Sequence, residues 1–170
     1  MNNKLLLFLS ALGISVVSIV IQSVIFPIFF INDYMPDISL IALIYFSINY
    51  GKVFGQWLGF STGIIFDSLS GVPFGLNTLV RLILGFFLGF FEGKIFMDKI
   101  ILPCIIITLC TVAKFFLISL VGLFYPIDLN IDFFSVRYVI EIGMNILFTP
   151  IIFILFNFIS KRLISNRDRV

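Results

Sequence analysis

Hydrophobic positions along this chain do not alternate, and they do not recur on one helix face. They come in runs. Five stand out: Leu5 to Ile31, Ile38 to Phe66, Leu76 to Phe91, Ile100 to Phe124 and Val139 to Ile159. A helix that crosses a bilayer needs roughly 20 predominantly apolar residues, so runs of this kind predict membrane-spanning helices. The first run is too long for a signal peptide and no small-x-small cleavage site follows it, so it is expected to stay as the first helix. The second run spans 29 residues and is interrupted by NYGK at Asn49 to Lys52. It reads either as one long helix or as two short ones.

Charge placement separates these two readings. One long helix gives five spans, sends the termini to opposite sides and leaves Lys52 near the bilayer centre. A turn at Asn49–Lys52 gives six spans and brings both termini to one side. That side then collects Lys4, Lys52, Lys94, Lys99, Lys161, Arg162, Arg167 and Arg169, eight of the chain's 11 basic residues. The opposite side collects Asp33, Asp37, Asp67, Asp128 and Asp132, with no basic residue in the loops proper. Cytoplasmic loops carry the excess of Lys and Arg. The expectation is one polytopic all-α membrane domain over residues 1–170, with both termini cytoplasmic in an inner membrane. Its spans are expected near 5–27, 36–50, 52–67, 76–93, 100–124 and 137–160, the second and third being short.

Composition agrees. The 170 residues are 61% hydrophobic and 12% charged, with mean hydropathy +1.20, whereas a soluble domain carries about 25% charged residues. The lipid bilayer is thus an expected partner. A nucleic acid is not, because no basic stripe is interleaved with exposed aromatics. There is no histidine, which removes the commonest metal ligand and general base and every Ser-His or Cys-His nucleophile. Cys104 and Cys110, six apart on a helix, face different ways and are not expected to pair. The aspartates lie at span ends or in loops and no carboxylate neighbours Glu141, so no catalytic, metal or cofactor residue is expected.

Two glycine ridges mark the third and fourth spans. Gly51, Gly55, Gly59 and Gly63 recur every four residues, as do Gly85, Gly89 and Gly93. Such a ridge lets another helix approach closely, either within this protein or on a partner. Few polar groups fall inside the spans. Arg81 and Glu141 each sit about one turn inside the outer ends of the fourth and sixth spans, at matching depths, so an ion pair between them is expected. Lys114 lies deeper, within reach of Asn145. These four residues form a candidate polar cluster: a buried pairing that fixes helix register, or a small anionic or polar ligand site or proton-linked switch. Otherwise Lys114 or Arg81 simply snorkels to the interface.

The segment DSLSGVPFGLNTLVR, Asp67 to Arg81, is the most polar stretch between two apolar runs. Gly71, Pro73 and Gly75 are turn residues, and Asn77 or Thr78 is expected to cap the fourth span. Asp67, with Ser68 or Ser70, is placed to bind free backbone groups where the third span ends. Pro36–Asp37 opening the second span, the Tyr50–Gly51 break, and D-x-x-S-G-x-P-F-G-L-N at Asp67, Ser70, Gly71, Pro73, Phe74, Gly75, Leu76 and Asn77 together resemble the MreD family of rod shape-determining proteins. The motif covers about a third of the chain; length, span count and basic tail fit over the rest.

That resemblance implies a non-enzymatic subunit of the peptidoglycan elongation machinery (the elongasome). It would sit beside MreC and help couple MreB filaments to RodA and its penicillin-binding transpeptidase, maintaining cell shape. It also implies an architecture similar to the substrate-binding components of energy-coupling-factor vitamin transporters, and such a component is the alternative function. The alternative asks for a polar cavity and for a small-residue docking face on span one, where only Ala11 and Ser15 have the spacing.

Overall fold

The computed structural model describes residues 3–29, 35–71, 73–93, 101–122 and 136–165. Asp33, Lys94, Lys99, Asp128, Asp132, Arg167 and Arg169, which entered the charge argument, lie outside these residues. Every element described is helical. Helix α1 (Asn3–Val20) runs into a π-helical stretch (Ile21–Ile25) and a last turn, α2 (Phe26–Phe29). Helices α3 (Ile38–Tyr50), α4 (Lys52–Ser70) and α5 (Leu76–Leu88) follow, the last extended by a 3-10 turn (Gly89–Phe91). Helices α6 (Ile101–Gly122) and α7 (Val136–Ser165) complete the bundle. Among the described residues, three segments are long and apolar enough to cross a membrane: Lys4–Ile28, Ile101–Gly122 and Tyr138–Ser160.

The chain breaks at Gly51, whose φ of 87° is a conformation few other residues adopt. So the long second run folds as two helices. Helix α4 turns back on α3, and Gly55 lies against Ser47. The third expected span is the longer of the two: α4 has 19 residues. The shorter pair is α3 and α5, each of 13.

Side-chain contacts give the direction of each neighbour. Asp37 meets Asn145, Tyr45 meets Phe153, and Tyr50 meets Ser160, so α3 and α7 run parallel. Lys114 meets Glu141 and Thr111 meets Asn145, so α6 and α7 are antiparallel. Gln22 bonds to Ser39 while Phe8 packs on Phe54, beside the far end of α3, so α1 runs against α3. Lys4, Tyr50, Lys52, Glu92 and Ser160 gather at one end of the bundle; Gln22, Asp37, Asp67, Lys114 and Glu141 belong to the opposite half.

Helix α3 is the centre. Its sequence is apolar on every face, and such a helix is buried on every face. Ser39 through Ile48 are all buried, and the core continues into Leu58, Val80, Leu84, Ile107, Phe153 and Phe156. The buried Ser47 hydroxyl donates back to the Leu43 carbonyl of the same helix at 2.6 Å. Among lipid tails, apolar burial gives little drive for helix association, because the surroundings are as apolar as the core. Close packing and polar contacts must then set how these helices fit.

The glycines supply the close packing. In antiparallel register, Gly63 faces Thr78, Gly59 faces the Arg81 carbonyl, Gly55 faces Gly85, and Gly89 faces Lys52. A Cβ at any of these glycines would collide with backbone of the opposite helix. The two ridges therefore face each other. Gly93 stands in open space, and at Gly51 a Cβ would meet the Glu92 carboxylate.

Helix α7 contains Pro150. Proline lacks the N–H that would bond the carbonyl of Ile146, and the Cys104 thiol donates to that carbonyl at 3.8 Å. Cys104 and Cys110 are both free.

Candidate functional site

Helix α3 begins at Asp37, and this carboxylate organises the polar interior. As N-cap it accepts from the Leu40 N–H at 3.0 Å, which satisfies one of the unpaired amides of the first turn. A second of these amides, on Ser39, donates to Gln22 Oε1 at 3.3 Å. Gln22 lies at the π-helical stretch, on the face that also buries Ala11, Ser15 and Ser18. The Ser39 hydroxyl has Asp37 Oδ1 at 2.9 Å and Gln22 Oε1 at 3.2 Å as acceptors. The Asp37 backbone N–H donates to Asn145 Oδ1 at 2.7 Å.

Two cations converge on this carboxylate. Arg81 Nη2 donates to Oδ1 at 3.2 Å and Lys114 Nζ donates to Oδ2 at 2.9 Å. Lys114 also pairs with Glu141. The Arg81 guanidinium lies 4.4 Å from the centre of the Phe66 ring, a cation–π contact from α4. Asn145 Nδ2 donates to Thr111 Oγ1 at 3.0 Å, and that hydroxyl donates onward to the Ile107 carbonyl. Two acids and two bases thus make a formally neutral quartet to which α3, α5, α6 and α7 contribute, while Gln22, in the π-helical stretch after α1, and Phe66 of α4 touch it.

The expected cluster of Arg81, Lys114, Glu141 and Asn145 is brought together, with different pairings. Arg81 pairs with Asp37 and not with Glu141. Asn145 binds the Asp37 backbone and Thr111, and not the Lys114 ammonium. Sequence reasoning placed Asp37 at the outer end of the second span, apart from the cluster, and so missed its centre. A signal was available in helix length. Thirteen residues of α3 rise about 20 Å, against a hydrocarbon core of about 30 Å, so one end of this helix must lie inside the apolar layer.

A second carboxylate organises the turn between α4 and α5. Asp67 Oδ2 accepts from the Gly75 and Thr78 N–H groups, each at 3.0 Å, and from the Thr78 hydroxyl at 2.6 Å. Oδ1 accepts from the Asn77 N–H and Nδ2, each at 3.0 Å. The N-cap of α5 is Gly75, with φ of 100° and no side-chain cap of its own. The expected capping by Asn77 or Thr78 is replaced by Asp67, reaching across from the end of α4. Gly71 ends α4 in the left-handed region; Pro73 is half-buried, Leu76 is buried, and Ser70 and Phe74 are exposed.

The carboxylates are occupied by bonds within the protein, and the described residues hold no group of His, Cys, Asp and Glu able to bind a metal. The fold and the site define an all-helical protein of strongly apolar character that uses its buried charges to join helices. The chain belongs to the MreD family: the model for rod shape-determining protein MreD matches residues 2–159. That family is a bacterial membrane protein and part of the MreBCD shape complex. No curated protein and no solved structure matches the chain.

Proposed function

We propose that this chain is a non-catalytic inner-membrane subunit of the peptidoglycan elongation complex. It crosses the bilayer six times with both termini in the cytoplasm, binds MreC and helps couple MreB filaments to the wall synthases. Family membership supplies the frame. The observation that carries the reading is the neutral quartet of Asp37, Arg81, Lys114 and Glu141. A capture protein for a charged solute needs charge left over in a cavity, and here the charges cancel within the helix bundle.

Six crossings are supported by the alternation of helix directions and by the break at Gly51. The transporter alternative needs a small-residue face on span one turned outward, whereas Ala11 and Ser15 are buried against the bundle. The glycine ridges serve the α4–α5 contact, so a partner meets this protein on other surfaces. The test is a detergent pull-down with the tagged chain as bait and two prey, the host's MreC and the energising membrane subunit of its vitamin transporter. Capture of MreC alone is expected. Capture of the transporter subunit alone overturns the reading.

A further inference from the structure

A groove of about 640 Å3 runs between α1 and α4 at the Lys4 end of the bundle. Its walls are apolar, built from Leu7 and Phe8 on one side and Val53, Phe54 and Trp57 on the other. Val53 and Trp57 are 60% and 59% exposed. One cation and one anion line the same groove: Lys4 and Glu92. Both are exposed, and no ion pair joins either of them to another described residue. Glu92 leans over the α3–α4 junction at Gly51. The neighbouring Lys52 ammonium lies over the Phe90 ring, 5.1 Å from its centre. Neither the helix-joining quartet nor the Asp67 turn uses any of these groups.

We infer that this groove holds an acyl chain of a phosphatidylethanolamine molecule, with the lipid phosphate at Lys4 and the lipid ammonium at Glu92. The inference rests on the membrane reading above. An apolar groove that faces a bilayer is filled by lipid tails, and the charges at its mouth then select the head group. One positive and one negative side chain complement a head group that carries a phosphate and an ammonium. Lysine binds phosphate as a compact point charge, and a carboxylate accepts the N–H donors of an ammonium. A phosphatidylglycerol head group carries the same phosphate but offers Glu92 only neutral hydroxyls, with no positive charge. A choline head group has the right charge but no N–H to give.

Trp57 is the chain's single tryptophan and it lines the groove, so its fluorescence reports the occupant. The full chain is reconstituted into phosphatidylcholine vesicles. These contain a minor fraction of lipid with brominated chains and an ethanolamine, glycerol or choline head group. The expected result is ethanolamine lipid associating roughly two- to fivefold more tightly than the other two, the range one exposed charge pair supplies. Glu92→Gln removes that preference. Lys4→Gln weakens all three lipids alike, because each carries the phosphate. Both side chains are exposed, and an unchanged melting temperature shows that the variants fold. Equal quenching by all three lipids, a preference for the glycerol lipid, or no quenching by any of them overturns the inference while the membrane reading stands. A protein that does not float with the vesicles overturns both.

Discussion

Asp37 and Lys114, 77 positions apart in the chain, meet at 2.9 Å in the interior of the bundle. The contact joins the first turn of α3 to the middle of α6. Asp37 also holds Arg81 on α5, so one carboxylate restrains two cations on two helices. Removing it leaves Arg81, which is 1% exposed, with no acceptor for Nη2. Breaking a buried pair from one side costs about 3–5 kcal/mol, because the partner's charge stays behind. Asp37→Asn is expected to lose stability of that order, read as a fall in the detergent melting temperature. Asp37→Leu combined with Arg81→Leu is expected to lose less than Asp37→Leu alone. Additive losses in that pair would show that the contact carries no coupling.

Glu141 gives a contrast within the same cluster. Its side chain is 14% exposed against 4% for Asp37, and Lys114 keeps Asp37 when Glu141 is neutralised. Glu141→Gln is therefore expected to cost roughly 1–2 kcal/mol, clearly less than Asp37→Asn. Equal losses from the two variants, measured in the same detergent, would refute Asp37 as the centre of the quartet.

The glycines separate by position. At Gly59 an added methyl group meets the Arg81 carbonyl, and backbone cannot swing aside. Gly59→Ala is expected to cost about 1–3 kcal/mol by forcing α4 from α5. Gly13, also inside a helix, has nothing within 4 Å of an added Cβ. There Gly→Ala removes backbone entropy from the unfolded chain and is expected to stabilise by about 0.5–1 kcal/mol. Melting shifts of the same sign for both would contradict the packing.

How much of this was readable in the sequence differs from residue to residue. The ridge at Gly55, Gly59 and Gly63 was visible because a bare face repeats every four residues. The break at Tyr50–Gly51 was visible because a charge cannot sit cheaply at the bilayer centre. Lys114, Glu141 and Asn145 stood out as polar groups in apolar runs. Their pairing did not, because it depends on the relative heights of helices. Arg81 and Glu141 have matching depths along their own spans, yet Asp37 stands between the cations and takes Arg81. Asp67 was legible as a capping group, but its target lies across a turn whose backbone path no local pattern states. Gln22 gave no warning at all, since a lone amide in an apolar run looks alike whether it meets a helix end or a lipid head group.

Asp67 offers the most local test. Its carboxylate takes five hydrogen bonds from Gly75, Asn77 and Thr78, so it holds the first turn of α5 to the last turns of α4. A side-chain cap contributes about 0.5–2 kcal/mol, and bonds to a charged acceptor lie at the upper end of the hydrogen-bond range, about 1.5–3 kcal/mol. Asp67→Ala is expected to cost roughly 2–3 kcal/mol. The loss should also be localised. Amide exchange of Gly75, Asn77 and Thr78 in lipid nanodiscs should quicken severalfold, while Leu84 and Leu88, further along α5 and held by its glycine contact with α4, keep their protection. Asp67→Asn retains an acceptor for part of the network and should fall between wild type and Asp67→Ala. Exchange that quickened equally along all of α5 would mean that Asp67 supports the whole α4–α5 pair and not its turn.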